Sequence, residues 1–529
     1  MSYISLSAQQ YYWIEFTDKN NSDYSIENPQ EFLSQRAIDR RAFFNIPIAV
    51  SDLPVSKKYK QQISNLDAHV LKASKWLNGV FVSSQNINFE QELSQLDFIK
   101  KVIKIKIEDT KSVVQKFEIE QNNITSEITE EEYGYAWNNI NTINGQYLHE
   151  NGYLGSTIDI AVMDNGFKNV DVNPYFDSLR TMGKLHGAYN FVDNTPNVFS
   201  NGEHGAFVMS TLAAYKKDTL VGTAPLANYY LFTTEDENHE GLPEEVNWAM
   251  AAEWADSALG TWVVLTTSLG YTNGFNDPST NHTYADMDGN TTIITRAADM
   301  VAQKGMLVVN SAGNEGTSSW HYIGAPADGD SVLALGAITV DKEMAVFSSY
   351  GPSSDNRTKP NVSALGQGVI AVNPFQELKS ISGTSFSCPI TSGMAACLWE
   401  AFPQKSNMEI FYAIQQSAHL YYAPQNQFGY GIPNFKIAFQ ILQAGANEEN
   451  KLKVFPNPAD NELNIFFVEQ KEGKYTINIA DASGAIVYKE SDYAKTYTSK
   501  IDVNFLPQGV YYLSVQQGKK VYKSKFIKE

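Results

Sequence analysis

Cysteine is almost missing from this chain: Cys388 and Cys397 are the only two in 529 residues. Both fall in a segment read as one helix, where nine residues span about 13 Å, whereas a disulfide needs Cα atoms within about 7 Å. Free thiols are expected, and a disulfide-stapled scaffold is excluded. Long apolar runs are missing too. No stretch approaches the roughly 18 residues of a membrane-crossing helix, so no transmembrane segment is expected. The opening MSYISLSAQQYYWIEF has neither a basic stretch nor a continuous apolar core, so either the protein is cytoplasmic or a signal peptide is already removed. Positive charge is scarce where most of the chain lies. Residues 1–110 hold 13 basic and 13 acidic side chains and residues 446–529 hold 12 and 11, which leaves 15 against 35 between them. So acidic a centre excludes nucleic acid, which is bound through clustered Lys and Arg. The charge is read first as solubility, and it also suits cationic substrates or calcium.

The chain does have ordinary globular composition, 43% apolar and 19% charged, and is too long for one core. Residues 1–110 read as a small α/β unit. YYWIEFT, GVFVSSQ and KKVIKIKIE are its strands, and NPQEFLSQRAIDRRAFF and NFEQELSQLDF its helices. Residues 111–135 are polar and acidic and read as a linker. From 136 to 443, short β-branched runs (STIDIAVMD, ANYYLFTT, TWVVLTTSLG, GMLVVNSAG, SVLALGAIT) alternate with helical segments. That alternation predicts an α/β, doubly wound, mainly parallel sheet with helices on both faces. After a polar joint at 445–450, residues 451–529 change to short alternating strands with turn signals, the pattern of a small β-sandwich.

Four places in the central stretch could carry chemistry. In IDIAVMDNGF an apolar strand runs out at Asp164, and carboxyl ends of parallel strands are where α/β sheets keep their sites. In NGEHGAFVMSTLAA, His204 precedes a small-residue helix, and histidine titrates near neutrality as a general base must. In VVNSAGNEG, Gly313 lets the chain turn and Asn314 exposes an amide that can donate to an oxyanion. In SISGTSFSCPITSGMAACLWEAF, Ser385 stands before a helix expected to be opened by Pro389, whose dipole points at the reacting centre. Each signal alone also fits a turn former, a helix cap or a surface loop. The order Asp, His, Ser with the Asn before the Ser joins them, since that order differs from those of chymotrypsin and the α/β-hydrolases.

Residues 136–443 resemble the subtilisin-like serine proteases through VMDNGF, EHGAFVMSTLAA, SLG, SAGNEG and SGTSFSCPITSGMAA. The resemblance implies that Asp164 orients His204, that His204 serves Ser385 as base and then acid, and that Asn314 holds the oxyanion. It implies that Ser268, Leu269 and Gly270 form a substrate-binding strand, with Ala312 and Gly313 as the opposite wall. The family's Asp-Thr-Gly or Asp-Ser-Gly is here Asp164-Asn165-Gly166, and its His-Gly-Thr is His204-Gly205-Ala206. Residues 1–110 resemble the propeptides that chaperone and inhibit these proteases, so activation cleavage is expected within 107–130. VFPNPADNELNI, QGVYYLSVQQGKK and the closing KSKFIKE resemble the C-terminal sorting domain of type IX secretion. The expectation is a secreted or cell-surface zymogen of a serine endopeptidase. Its partners would be protein or peptide substrates, its own prodomain and the secretion machinery. No cofactor is required and no metal site is assigned, with acids at 235–237 and 286–288 able to ligate calcium. A catalytically silent binding fold is the alternative, and an esterase is a further rival.

Overall fold

Side-chain alternation along the first strand sets how the N-terminal unit is used. The computed structural model of the protein describes residues 9–20, 22–106, 118–120, 132–444, 452–455, 457–467, 473–494, 498–518 and 520–529. Gln10–Phe16 sits inside a four-stranded antiparallel sheet, between Gly79–Ser84 and Ile99–Ile105, with Ala68–Ser74 beyond. Because successive residues face opposite sides of a strand, Tyr12, Ile14 and Phe16 enter the unit's own core with Tyr59, Ile63, Phe89 and Leu93. Trp13 points the other way, with Trp76, Leu77, Phe81 and Ile105, and packs into the core of the central domain. One sheet therefore builds two apolar layers.

The long helix expected over residues 28–44 is shorter. Pro29–Glu31 form a single tight turn, and the helix proper is Gln35–Phe44, because the Ser34 side chain accepts from the N–H of Ala37 and starts it there. This arm reaches the central domain, where Phe43 meets Trp262 edge-on and Phe44 lies against Trp399.

The central domain is a seven-stranded parallel sheet. Its order is Val362–Leu365, Val332–Ile338, Leu307–Ser311, Val263–Thr267, Asp159–Asp164, Asn228–Thr233 and Leu185–Asn190. Most of these strands are buried end to end, which is why they read as unbroken apolar runs. The Asp159–Asp164 strand precedes both of its neighbours in the chain, so the winding reverses beside it, and ligands bind at such a switch point. Helices Glu203–Ala213 and Thr384–Ala401 cover one face, and Leu242–Ala258 and Ile293–Gln303 cover the other. A hairpin of Val369–Val372 and Leu378–Ser382 leads into the Thr384 helix. Three linker residues, Glu118–Glu120, pair antiparallel with its second strand, Glu118 opposite Ser382 and Glu120 opposite Ser380. The remainder of the expected cleavage region lies outside the described residues.

Residues from Leu452 onward form a three-stranded and a four-stranded antiparallel sheet, closed over Leu463, Ile465, Ile477, Ile479, Leu513, Val515 and Phe526. These are the expected sandwich. Cys388 and Cys397 share one helix and are free and buried, and burial pushes the Cys388 thiol up to about 11. Among the described residues, no helix is long and apolar enough to cross a membrane.

Candidate active site

Asp164 ends its strand fully buried, and its Oδ1 lies 2.7 Å from Nδ1 of His204. Backbone is packed against backbone to achieve this. Gly166 has φ +124°, and a Cβ on Gly205 would lie 2.1 Å from the Gly166 carbonyl oxygen and 3.0 Å from Asp164 Cβ. Asn165 reinforces the join: its Oδ1 accepts from the N–H of Gly205 at 3.2 Å, and its Nδ2 donates to Glu237 at 2.9 Å. His204 is the second residue of its helix, inside the first turn rather than ahead of it. Gly205→Ala is expected to lower kcat/KM for peptides by about 100-fold, because a shift near 1 Å in reacting groups has that effect. Steady-state kinetics on the processed protein would check this.

Ser385 also lies in a helix earlier than expected. The helix begins at Thr384, and Pro389 falls inside it rather than at its start. Proline has no N–H, so the carbonyl four residues back, that of Ser385, has no helical donor. Ser268 supplies one, its Oγ–H donating to the Ser385 carbonyl at 2.8 Å. The proline thus frees a carbonyl that ties the Ser268 segment to the serine. The Ser385 Oγ lies 3.5 Å from the Ser268 carbonyl oxygen, and the ring of Phe386, the next residue, is 5.9 Å from the His204 imidazole.

Asn314 is held by its other end. Its Oδ1 accepts from the N–H and the Oγ–H of Thr384, at 2.9 and 3.0 Å, which turns Nδ2 toward Gly383 and the serine loop. A cavity of about 390 Å3 opens here, lined by Ser268, Leu269, Gly270, Gly313, Asn314 and Ser385. Glu240, Phe275, Glu315 and Phe347 are also in its wall. Ala312 does not line it: that residue is buried with Ile323, Ala327 and Ala334. Thr384, Glu240 and Glu315 were not singled out from sequence, where Asn165 stands only as a departure from the family's usual Thr or Ser.

The acids considered for calcium mostly serve backbone. Asp286 accepts from Thr283, and Asp288 from Asn290 and Thr291. Glu235, Glu240 and Glu244 do bring ligand oxygens within 4.8 Å of one another, with Glu244 capping its helix through Asp236 and Gly241. Beside the cavity, His282 Nε2 lies 2.6 Å from Glu245 Oε1 and its ring is 5.1 Å from Phe275. Burial lowers the affinity of this imidazole for its proton, but the Glu245 carboxylate outweighs it and the pKa is raised. Stability from the pair is therefore fully present below the free imidazole's ordinary value of about 6.5 and is lost as pH rises through the raised one. The unfolding midpoint of Ser385→Ala is expected to exceed that of Ser385→Ala/His282→Gln clearly at pH 5.5 and much less at pH 9.

A carboxylate–imidazole pair, a helix-mounted serine and a fixed amide at a parallel-sheet switch point suit one class, hydrolases with an α/β fold. Comparison with known proteins narrows it. Residues 155–431 match the Subtilase family, residues 11–123 the Peptidase S8 propeptide domain of Bacteroidota, and residues 453–529 the secretion system C-terminal sorting domain. The chain is 27% identical to "Thermostable alkaline protease" of Halalkalibacterium halodurans, over 66% of this chain and 87% of that protein. It is 28% identical to "Subtilisin NAT" of Bacillus subtilis subsp. natto, over 57% and 70%. With "Subtilisin DY" of Bacillus licheniformis the identity is 29%, over 51% and 86%. The chain belongs to the subtilase family and is a subtilisin-like serine endopeptidase. Its type IX sorting domain marks it for secretion and attachment at the cell surface.

Proposed function

We propose that Ser385 is the nucleophile of this endopeptidase, that His204 takes the Ser385 proton and returns it to the leaving amine, and that Asp164 holds the imidazole. Asn314 Nδ2 and the Ser385 N–H stabilise the oxyanion of each tetrahedral intermediate, and water hydrolyses the acyl-enzyme. The chemistry needs no metal or cofactor. The observation that carries this reading is the 2.7 Å contact between buried Asp164 and His204 Nδ1, which suits an imidazole that serves the serine through Nε2. Ser268–Gly270 are the edge on which an extended peptide is paired.

The chain is made as a zymogen. Residues 1–110 guide folding and inhibit, residues 136–443 catalyse, and residues 451–529 engage the secretion machinery. Strand Glu118–Glu120 supports the inhibitory part. It pairs with the strand that ends three residues before Ser385, and it runs away from the serine as its numbering rises. A cut N-terminal to Glu118 fits that direction, so the cleavage is proposed between residues 106 and 118.

A fluorophosphonate, which labels activated serines, tests the assignment when combined with N-terminal sequencing over time. Label on the Ser385 peptide and a new N-terminus between 107 and 118 are expected. Absence of label once residues 1–117 are removed would favour a silent binding fold.

A further inference from the structure

We infer that the cleft selects a cationic side chain, lysine or arginine, on the acyl side of the bond it cuts, with Glu240 and Glu315 as the selecting residues. This preference rests on the assignment of Ser385 and Asn314 proposed above.

The acyl side follows from proton traffic. The amine leaves toward His204, which must protonate it, and the carbonyl oxygen turns toward Asn314. The cavity walled by Asn314, Ser385 and Ser268–Gly270, and not by His204, lies on the side that keeps the carbonyl. Two carboxylates line it and no Lys or Arg does. Both are anchored through their backbones: the N–H of Glu315 donates to Ser349 Oγ at 2.9 Å, and that of Glu240 to Asn276 at 2.8 Å. Both side chains are half-buried, where charges are screened less than in open water. Glu240 stands within 4.8 Å of further carboxylate oxygens from Glu235 and Glu244, so acidic groups gather at that wall. Leu269, Phe275 and Phe347 give the cavity an apolar part, beside small polar side chains such as Thr272, Ser311 and Thr317. Apolar walls with carboxylates among them suit a long aliphatic stem ending in a cation.

An independent observation points the same way. The interval between Lys106 and Glu118 contains two cationic residues, Lys111 and Lys116. Lys116 precedes Glu118 by two positions, and Glu118 is paired with Ser382, three residues before the nucleophile. Cleavage after Lys116 would put the enzyme's own preferred residue at its processing site and start the mature chain at Phe117.

The test uses the self-processed protein and matched peptides that differ only in having Lys or Leu before the cut, together with mass spectrometry of cuts in a mixed peptide library. The expected results are library cuts after Lys and Arg, a mature chain starting at Phe117, and a kcat/KM ratio of Lys to Leu of at least tenfold. In the double variant Glu240→Gln/Glu315→Gln that ratio is expected to fall at least tenfold, with fluorophosphonate labelling of Ser385 showing that the variant is folded. Library cuts after apolar residues in the parent, or an unmoved ratio in a labelled variant, would overturn the preference. No labelling of the parent would instead overturn the site assignment beneath it.

Discussion

Ser385→Ala is expected to reduce peptide turnover about a million-fold, the loss that follows when the nucleophile of such a triad is removed, and to abolish loss of the N-terminal segment. The residual, about 10³–10⁴ above water, would come from the oxyanion donors and substrate binding. Three serines compete for the role, and their surroundings decide between them. Ser382 Oγ accepts from the N–H of Gly368 at 3.1 Å, and Ser387 Oγ donates to the Thr384 carbonyl at 2.9 Å, fully buried. Ser382 also lines the cavity but stands ahead of the helix, Ser387 is in the helix but does not line the cavity, and Ser385 alone of the three is in the first helical turn and lines it. The fold should be little disturbed, since one hydroxyl with a single weak 3.5 Å contact is removed. Assay by intact mass over time and by initial rates at high enzyme concentration would check the prediction. Retained processing in the variant would move the nucleophile elsewhere.

The parts of this site that were legible in the sequence share a physical cause. Asp164, Gly313-Asn314 and Ser268–Gly270 each follow a strand buried on both faces, so an unbroken apolar run ends abruptly in a turn. Where burial is incomplete the signal disappears. Leu185–Asn190, the edge of the large sheet, is half-exposed along LHGAYN and shows neither run nor alternation. Lys57–Ser64 turns only Tyr59 and Ile63 inward, one pair at helical spacing, and the rest is polar. The start of the serine helix was placed too late because proline favours first turns in general. Here Gly383-Thr384-Ser385 begin it without apolar periodicity, and the proline instead exposes a carbonyl. Ala312 and Gly313 are placed differently: Gly313 lines the cavity, while Ala312 is buried with Ile323, Ala327 and Ala334. Glu240 could not be found at all, since it joins Leu269 and Gly270 only through folding of a loop.

Asp256→Ala is expected to weaken the grip of the cleaved prodomain about 150- to 5,000-fold, from a cost of about 3–5 kcal/mol for stranding a buried charge. Asp256 lies in the last turn of Leu242–Ala258 and is fully buried beneath the arm. Its Oδ1 receives Arg40 at 2.7 Å and Arg41 at 3.0 Å, and its Oδ2 receives Lys75 at 3.1 Å. Arg41 also meets Asp52 at 2.7 Å, which in turn holds Lys304 at 3.1 Å. Arg40 and Arg41 are themselves fully buried, so removing the carboxylate leaves Arg41 with Asp52 and Arg40 with only the carbonyls of Asp256, Leu259, Gly260 and Lys304. Without the prodomain the same carboxylate would sit near a helix C-terminus, where negative charge is mildly unfavourable, so the free catalytic domain should lose little. Burial raises the pKa of Asp256, but Arg40, Arg41 and Lys75 outweigh it and hold the carboxyl well below the usual range. Stabilisation by such a depressed group is present above its ordinary value and is lost only as pH falls through the lowered one. Mild acid therefore leaves this contact intact. Recovery of peptidase activity on serial dilution of the cleaved complex measures the effect, and Asp256→Ala should recover at higher concentrations than the parent. Changing Arg40, Arg41 and Asp256 together to Met, Leu and Leu should restore much of the grip, because apolar side chains of similar volume can replace a buried ion cluster. A single variant that recovers at the parent's concentration would show that the sheet contacts of Trp13 and Phe81 hold the prodomain without the arm.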